Sequence, residues 1–149
     1  MIDVTAPLLA HDGALLSARE LAGRHGLLVF GVGRAAGRGF QMLDQFGEIG
    51  ARLGACGINV AFVYPREAAR HAFDATSIRS ARYRQTRSLF LDVDGRFFDV
   101  PPPARAFRAI YVDGAFVQHG AVEVEQGDAV AQERLDAFFA DVIGQCAAG

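Results

Sequence analysis

The sequence contains no lysine and no tryptophan, and it contains only two cysteines. All fifteen basic residues are arginine, so mechanisms that need a lysine amine, such as Schiff-base formation or Walker-type phosphate binding, are excluded. Cys56 and Cys146 lie far apart in the chain, which favours reduced intracellular thiols over a disulfide framework. The first residues show no basic segment before an apolar core, and no apolar run approaches the ~20 residues that span a bilayer. We therefore expect a cytoplasmic protein with no membrane segment.

The charge distribution limits the class of partner. The chain has 149 residues, which predicts a single domain over 1–149, and its net charge is −2. Arginines are concentrated between Arg66 and Arg87, whereas acidic residues dominate after Ala109. A net negative chain with one basic segment argues against nucleic-acid binding and favours a solvated helix face or an acidic protein partner.

The first half of the chain has the pattern of a strand, a helix and a second strand. Residues 27–30 are four consecutive apolar residues bounded by glycines, which predicts a buried strand. Apolar residues then recur at three- and four-residue steps from Met42 to Leu53, which predicts an amphipathic helix. A second apolar strand, 58–64, ends before Pro65. The order predicts a right-handed βαβ unit.

The second half predicts an antiparallel hairpin and a closing helix. An arginine-rich helical segment, 66–73, precedes a strand at 88–92 and a short return strand at 96–98. Asp113-Gly114 is a two-residue type I′ hairpin signal between strands 109–112 and 115–118. The final helix is expected over 128–143, with Cys146 beyond it. This order is typical of an α/β, thioredoxin-like three-layer fold with a mixed central sheet and flanking helices.

The loop between the first strand and the first helix is the candidate site. It contains four glycines and two arginines between Gly31 and Gly39. Free amides at a helix start together with guanidinium groups can bind a carboxylate, phosphate or sulfate. This predicts an anion site that includes Gly33, Arg34, Arg38 and Gly39.

The same loop satisfies the dinucleotide-binding pattern G-x-G-x-x-G/A through Gly31, Gly33 and Ala36. However, no acidic residue stands ~20 positions further on to accept the ribose hydroxyl. Nucleotide binding therefore stays an alternative. The other interpretation of the pattern is that the glycines only give this loop conformational freedom.

Several segments resemble the alkyl hydroperoxide reductase and thiol-specific antioxidant group, which comprises the peroxiredoxins and the wider redoxins. Residues 17–30 are similar to that group's Ser-Leu-Ser-Asp-Leu-x-Gly-Lys run before an apolar strand ending in Phe. Ala6-Pro7 with Asp12-Gly13 resembles its opening, 88–95 resembles its "pLLsDpdG" segment, and 108–114 resembles its "R-x-x-FIID-x-xG" hairpin. The resemblance covers most of the chain in the same order and implies the same fold.

The resemblance fails at the residues that carry the chemistry. In peroxiredoxins the strand-ending Phe is followed by a Pro, a Thr and the peroxide-attacking Cys, and the corresponding positions here are Val32, Ala36 and Gly39. The two cysteines of a Cys-x-x-Cys reductase would fall at Ala35 and Arg38. Peroxide reduction needs a thiolate nucleophile, which none of these residues supplies.

Two further positions follow from the resemblance. The group's peroxide-orienting arginine corresponds to Arg108, which we add to the anion-binding candidates. The cis-proline of thioredoxins would align near Ala106, close to the proline triplet 101–103.

We therefore expect a redoxin-fold protein that has lost thiol catalysis and acts as a non-catalytic binding or regulatory module without a cofactor. One alternative is a thiol-dependent oxidoreductase or peroxidase that uses Cys56 or Cys146, although the ordinary roles of these cysteines are a small core residue and a tail residue. The other is small-anion or nucleotide binding at the glycine loop. The histidines have no metal-ligand spacing, so no metal site is predicted. The partner is a protein or a small anionic ligand, and the resemblance allows a homodimer.

Overall fold

The computed structural model describes residues 2–81, 83, 88–125, 128 and 130–148. The strands are β1 (Leu8–Leu9), β2 (Leu15–Leu16), β3 (Gly26–Val32), β4 (Ile58–Pro65), β5 (Leu89–Asp92), β6 (Ala106–Val112) and β7 (Gln118–Glu125). The helices are α1 (Ala18–Leu21), α2 (Gly39–Ala55), α3 (Ala69–Ala72), α4 (Ala75–Arg79) and α5 (Ala131–Ala148), and a 3-10 turn covers Arg66–Ala68.

The strands form one mixed sheet in the order β2-β1-β5-β4-β3-β6-β7. Strands β3, β4 and β5 run parallel, and the remaining pairs are antiparallel. The carboxyl ends of the three parallel strands, at Val32, Pro65 and Asp92, therefore meet at one edge of the sheet. In open α/β sheets this edge is the usual location of a binding site.

Strand β3 is buried on both faces, as its continuous apolar sequence predicts. Leu28 and Phe30 face a core that includes α2 and α5, whereas Leu27 and Val29 face a second core. That second core is covered by the N-terminal segment, by α1 and by residues 97–98. The alternation follows from the two-residue period of a strand.

Helix α2 begins at the candidate loop. Arg38 is its N-cap residue, and the Arg38 amide donates to Gln41 Oε1 at 2.8 Å. Met42 and Phe46 are buried against the sheet, and the Phe46 ring stacks on Phe30 with ring centroids 4.5 Å apart. The core thus fixes the direction of α2 relative to β3, which confirms the predicted βαβ unit.

The hairpin prediction is wrong in its turn and in its second strand. The connection is a five-residue loop, 113–117, and the second strand is β7 rather than 115–118. Asp113 Oδ1 accepts hydrogen bonds from the amides of Ala115 (2.8 Å) and Val117 (3.0 Å). Phe116 adopts φ +65°. The Asp113 side chain therefore stabilises a wider turn than the Asp-Gly pair predicts.

One predicted strand and the bounds of the last helix also differ from expectation. Residues 96–98 form no strand, because Phe97 and Phe98 pack into the second core and only an isolated bridge joins Phe98 to Ile2. The last helix starts at Ala131 instead of 128 and extends to Ala148, so Cys146 lies within it and not on a tail.

Of the basic segment 66–87, residues 82 and 84–87 lie outside the described part of the chain.

The hydrogen-bonded Asp113 carboxylate of the hairpin loop leads us to expect a loss of stability at acid pH. The pKa of Asp113 is lowered, first by its hydrogen bond with the His119 side chain and then by the Val117 amide. A carboxylate with a lowered folded-state pKa contributes stability above its unfolded pKa, and the contribution disappears as the pH falls through the folded value. In urea unfolding, the free energy of unfolding of wild type should therefore exceed that of Asp113→Asn by its full amount at pH 7, and this difference should shrink below about pH 4. A difference that stays constant from pH 7 to pH 2.5 would contradict this assignment.

Candidate functional site

The glycine loop, residues 31–39 from the end of β3 to the start of α2, is fastened to the segment before β6 by its backbone. Gly33 N–H donates to the Ala106 carbonyl at 2.9 Å, and Ala35 N–H donates to the Ala104 carbonyl at 2.7 Å. A side chain could not be added at Gly33, because a Cβ would lie 2.1 Å from the Pro103 carbonyl oxygen. These amides hold the loop in place, so they are not available to a bound anion.

Gly39, the first residue of α2, is enclosed by its neighbours. A Cβ at Gly39 would lie 2.4 Å from the Ala72 carbonyl oxygen, 2.7 Å from Ser77 Oγ and 2.9 Å from Leu89 Cδ1. Real Cβ atoms do not approach other atoms so closely. The segment containing α3 and α4 therefore occupies the space that a side chain at Gly39 would need.

A cavity of about 530 Å³, which we call the strand-end cavity, opens where the parallel strands end. Its volume is in the range of small-molecule sites. Arg34 of the glycine loop and Arg66 of the 3-10 turn are exposed and line it, while Arg38 and Gly39 do not. The lining is completed by apolar strand ends and loops, with three acidic residues: Val32, Val63, Tyr64, Pro65, Glu67, Asp92, Val93, Asp94, Gly95, Phe98, Pro101, Pro102 and Ala104.

Asp92, at the end of β5, is a buried carboxylate in this lining and is 7% exposed. Its Oδ2 accepts a hydrogen bond from the Phe97 amide at 3.1 Å, whereas Oδ1 has no hydrogen-bond partner among the described residues. Burial raises the pKa of this carboxyl, although the Phe97 amide acts in the opposite direction. A buried acceptor without a partner is costly, and a ligand N–H or O–H could satisfy it.

Arg108, on β6, is occupied by protein partners. Its Nη1 donates to the Val100 carbonyl, its Nη2 lies 3.5 Å from Glu123 Oε2, and its guanidinium carbon is 5.8 Å from the centre of the Phe98 ring. Arg108 thus fixes the loop after β5 against β6 and does not line the cavity.

The two cysteines lie near each other and far from the glycine loop. Cys56 is the C-cap residue of α2, and 17 helical residues place it about 25 Å from Gly39. Cys146 Sγ donates to the Cys56 carbonyl at 2.9 Å. Desolvation raises the pKa of the Cys146 thiol, and its hydrogen bond with the Cys56 side chain raises it further.

A second cavity of about 520 Å³ lies beside α2. Leu43, Phe46, Ile58 and Phe62 supply its apolar lining, and none of the described residues that line it is titratable. Among the described residues, no group of three or more His, Cys, Asp and Glu side chains is placed to hold a metal ion. No described helix is long and apolar enough to cross a membrane.

The three-dimensional arrangement matches known structures. A bacterioferritin comigratory protein of Xanthomonas campestris, described for its alkyl peroxide reduction, superposes with a TM-score of 0.61 at 16% identity over 98% of this chain and 97% of that chain. A peroxiredoxin Q structure of the same organism gives 0.57 at 14% identity over 98% and 97%. A Chlorobium tepidum protein described as a thiol:disulfide interchange protein of the DsbE type gives 0.53 at 14% identity over 89% and 91%. The chain has a thioredoxin-like fold.

At the level of sequence, no model of a known protein family matches the chain, and no curated protein matches it. The thioredoxin-like fold confirms the α/β architecture with its mixed sheet that the sequence predicted. The described peptide bonds include no cis bond, so Ala106 does not carry the cis geometry of the thioredoxin proline.

Within this thioredoxin-like fold, the structure separates the predicted anion-binding residues. Arg34 lines the strand-end cavity, Arg38 is exposed at the start of α2, and Gly39 is packed beneath α3 and α4. Arg66 was missed as a site residue, because it lies in a different segment and reaches the cavity only through the parallel pairing of β3 with β4. Its position directly after a predicted parallel strand was the signal that could have identified it.

Proposed function

We propose that this chain is a non-catalytic binding protein that performs no thiol chemistry at the glycine loop. The observation that carries the proposal is the packing around Gly39, where the resemblance to peroxiredoxins places the peroxide-attacking cysteine. Ala72, Ser77 and Leu89 occupy the volume that a nucleophile would need there. Val32 and Ala36, at the other family positions, are buried apolar side chains with no donor or acceptor.

The strand-end cavity supports the binding part of the proposal. Its apolar wall can take the hydrocarbon part of a ligand, and Arg34 and Arg66 can take an anionic group. Neither arginine has an ion-pair partner among the described residues, whereas Asp94 in the same lining pairs with Arg96 at 3.4 Å. Glu67 is the remaining exposed carboxylate of the lining. A small amphipathic anion fits this combination better than a neutral apolar molecule.

Thiol catalysis through Cys56 and Cys146 is the second candidate function, because the Cys146 thiol contacts the Cys56 backbone. The raised pKa of the Cys146 thiol argues against it, since the thiolate is the reactive form. Both cysteines also lie at the opposite end of β4 from the strand-end cavity, which argues against a role for them in chemistry at that cavity.

Two standard assays separate these functions. Wild type and a Cys56→Ala/Cys146→Ala double variant should both show only background rates of hydrogen peroxide consumption and of insulin disulfide reduction with dithiothreitol as reductant. Turnover by wild type that the double variant loses would establish the second candidate instead. Turnover that the double variant retains would contradict both functions, since no other cysteine is present.

A further inference from the structure

The two thiols meet at the end of the sheet opposite to the strand-end cavity. Cys56 directly precedes Gly57 and the amino end of β4, whereas the cavity lies at the carboxyl end of that strand. Cys146 lies within the last turns of α5, and its Sγ is 2.9 Å from the Cys56 carbonyl oxygen. The Cys56 side chain is also close enough to the Cys146 thiol to raise its pKa.

Each cysteine is held at this position by other contacts. The Cys56 amide donates to the Leu53 carbonyl at 2.9 Å, and the Gly57 carbonyl accepts from the His25 amide at 2.9 Å. On the other side, Phe139 and Val142 bury one face of α5 against the sheet. The fold therefore holds the Cys146 sulfur atom next to the backbone of Cys56.

We propose that Cys56 and Cys146 form an intramolecular disulfide when the protein meets an oxidant, and that this bond fastens the end of α5 to the end of α2. A low-molecular-weight disulfide is a sufficient oxidant. One thiolate attacks it, forming a mixed disulfide and releasing one equivalent of small thiol. The second thiolate then attacks the protein sulfur of the mixed disulfide and releases the other equivalent. The two cysteines are oxidised together, and one small disulfide is reduced to two thiols.

The bond would change the stability of the chain substantially. It would close a loop across 90 sequence positions, and long closed loops restrict the unfolded state most. The thiols are half-buried and the pKa of Cys146 is raised, so the reaction of the pair with an oxidant should be slow. This device does not depend on the proposed binding function, since the cavity lies at the other end of β4.

The test uses the full chain, purified in the reduced form and then treated with excess oxidised glutathione. Intact mass after acid quenching should fall by about 2 Da, which is the loss of two hydrogens. Peptide mapping should identify the Cys56–Cys146 link. The midpoint of thermal unfolding should rise by about 5–10 °C and return to its initial value with dithiothreitol.

Cys56→Ser and Cys146→Ser are the matched controls. Each should carry one glutathione on the remaining cysteine and should show no comparable rise in the unfolding midpoint. Wild type that carries glutathione on both cysteines, or that forms disulfide-linked dimers, would overturn the proposal. An intramolecular link that leaves the unfolding midpoint unchanged would overturn the fastening role of the bond.

Discussion

Replacing Gly39 by cysteine, the residue that the peroxiredoxin resemblance places there, is expected to destabilise the chain without producing a peroxidase. The new Cβ would lie 2.4 Å from the Ala72 carbonyl oxygen, which is backbone and cannot rotate away. The segment containing α3 and α4 must therefore move, and such overpacking costs about 1–3 kcal/mol. The midpoint of urea unfolding should fall accordingly, and peroxide consumption should stay at background.

Gly54 provides a matched control on the same helix. A Cβ at Gly54 meets no atom within 4 Å, so alanine there gains helix propensity without a clash. Gly54→Ala should raise the free energy of unfolding by about 0.5–1 kcal/mol, while Gly39→Ala should lower it. Equal effects of the two alanine substitutions would show that Gly39 is not enclosed. A stable Gly39→Cys variant that consumes peroxide would remove the main support for a non-catalytic protein.

The sequence predicts the parts of the fold that local patterns determine. The apolar run at 27–30 identifies β3, because a strand that is buried on both faces is continuously apolar. The spacing from Met42 to Leu53 identifies α2, because a helix that is buried on one face has apolar residues at three- and four-residue steps. The Asp113-Gly114 turn was predicted with the wrong geometry, since the Asp113 side chain bonds to the backbone of residues 115 and 117. Such a bond competes with the short hairpin in a way that a dipeptide signal does not show.

Only the location of the candidate site could be predicted. The loop after β3 is at the usual location of a binding site in such a topology, and Arg34 of this loop lines the strand-end cavity. The enclosure of Gly39 depends on Ala72 and Ser77, which belong to short helical segments whose position no periodicity fixes. The contact between Cys56 and Cys146 spans 90 positions and depends on how far α5 extends. Contacts of this range follow from tertiary packing and leave no local signal.

An amphipathic carboxylate is expected to bind the strand-end cavity through Arg34 and Arg66. Benzoate combines a ring for the apolar wall of the cavity with a carboxylate for the two guanidinium groups, whereas acetate has only the carboxylate. With a dissociation constant of about 1 mM, benzoate at about 10 mM would add roughly 1.4 kcal/mol to the free energy of unfolding. Thermal unfolding should therefore shift upward by about 3–5 °C with benzoate and less with acetate or inorganic phosphate.

Substitution of the arginines distinguishes the strand-end cavity from the start of α2 as the anion site. Arg34→Gln and Arg66→Gln should each weaken benzoate binding about 10-fold or more, because each removes a charge-assisted hydrogen bond. Arg38→Gln should leave it unchanged, since Arg38 is exposed on the same loop but does not line the cavity. Loss of binding in Arg38→Gln with retention in Arg66→Gln would move the site to the start of α2. The absence of any benzoate shift in wild type would contradict the cavity as a site for amphipathic anions, because Arg34, Arg66 and the apolar wall are the contacts on which such binding depends.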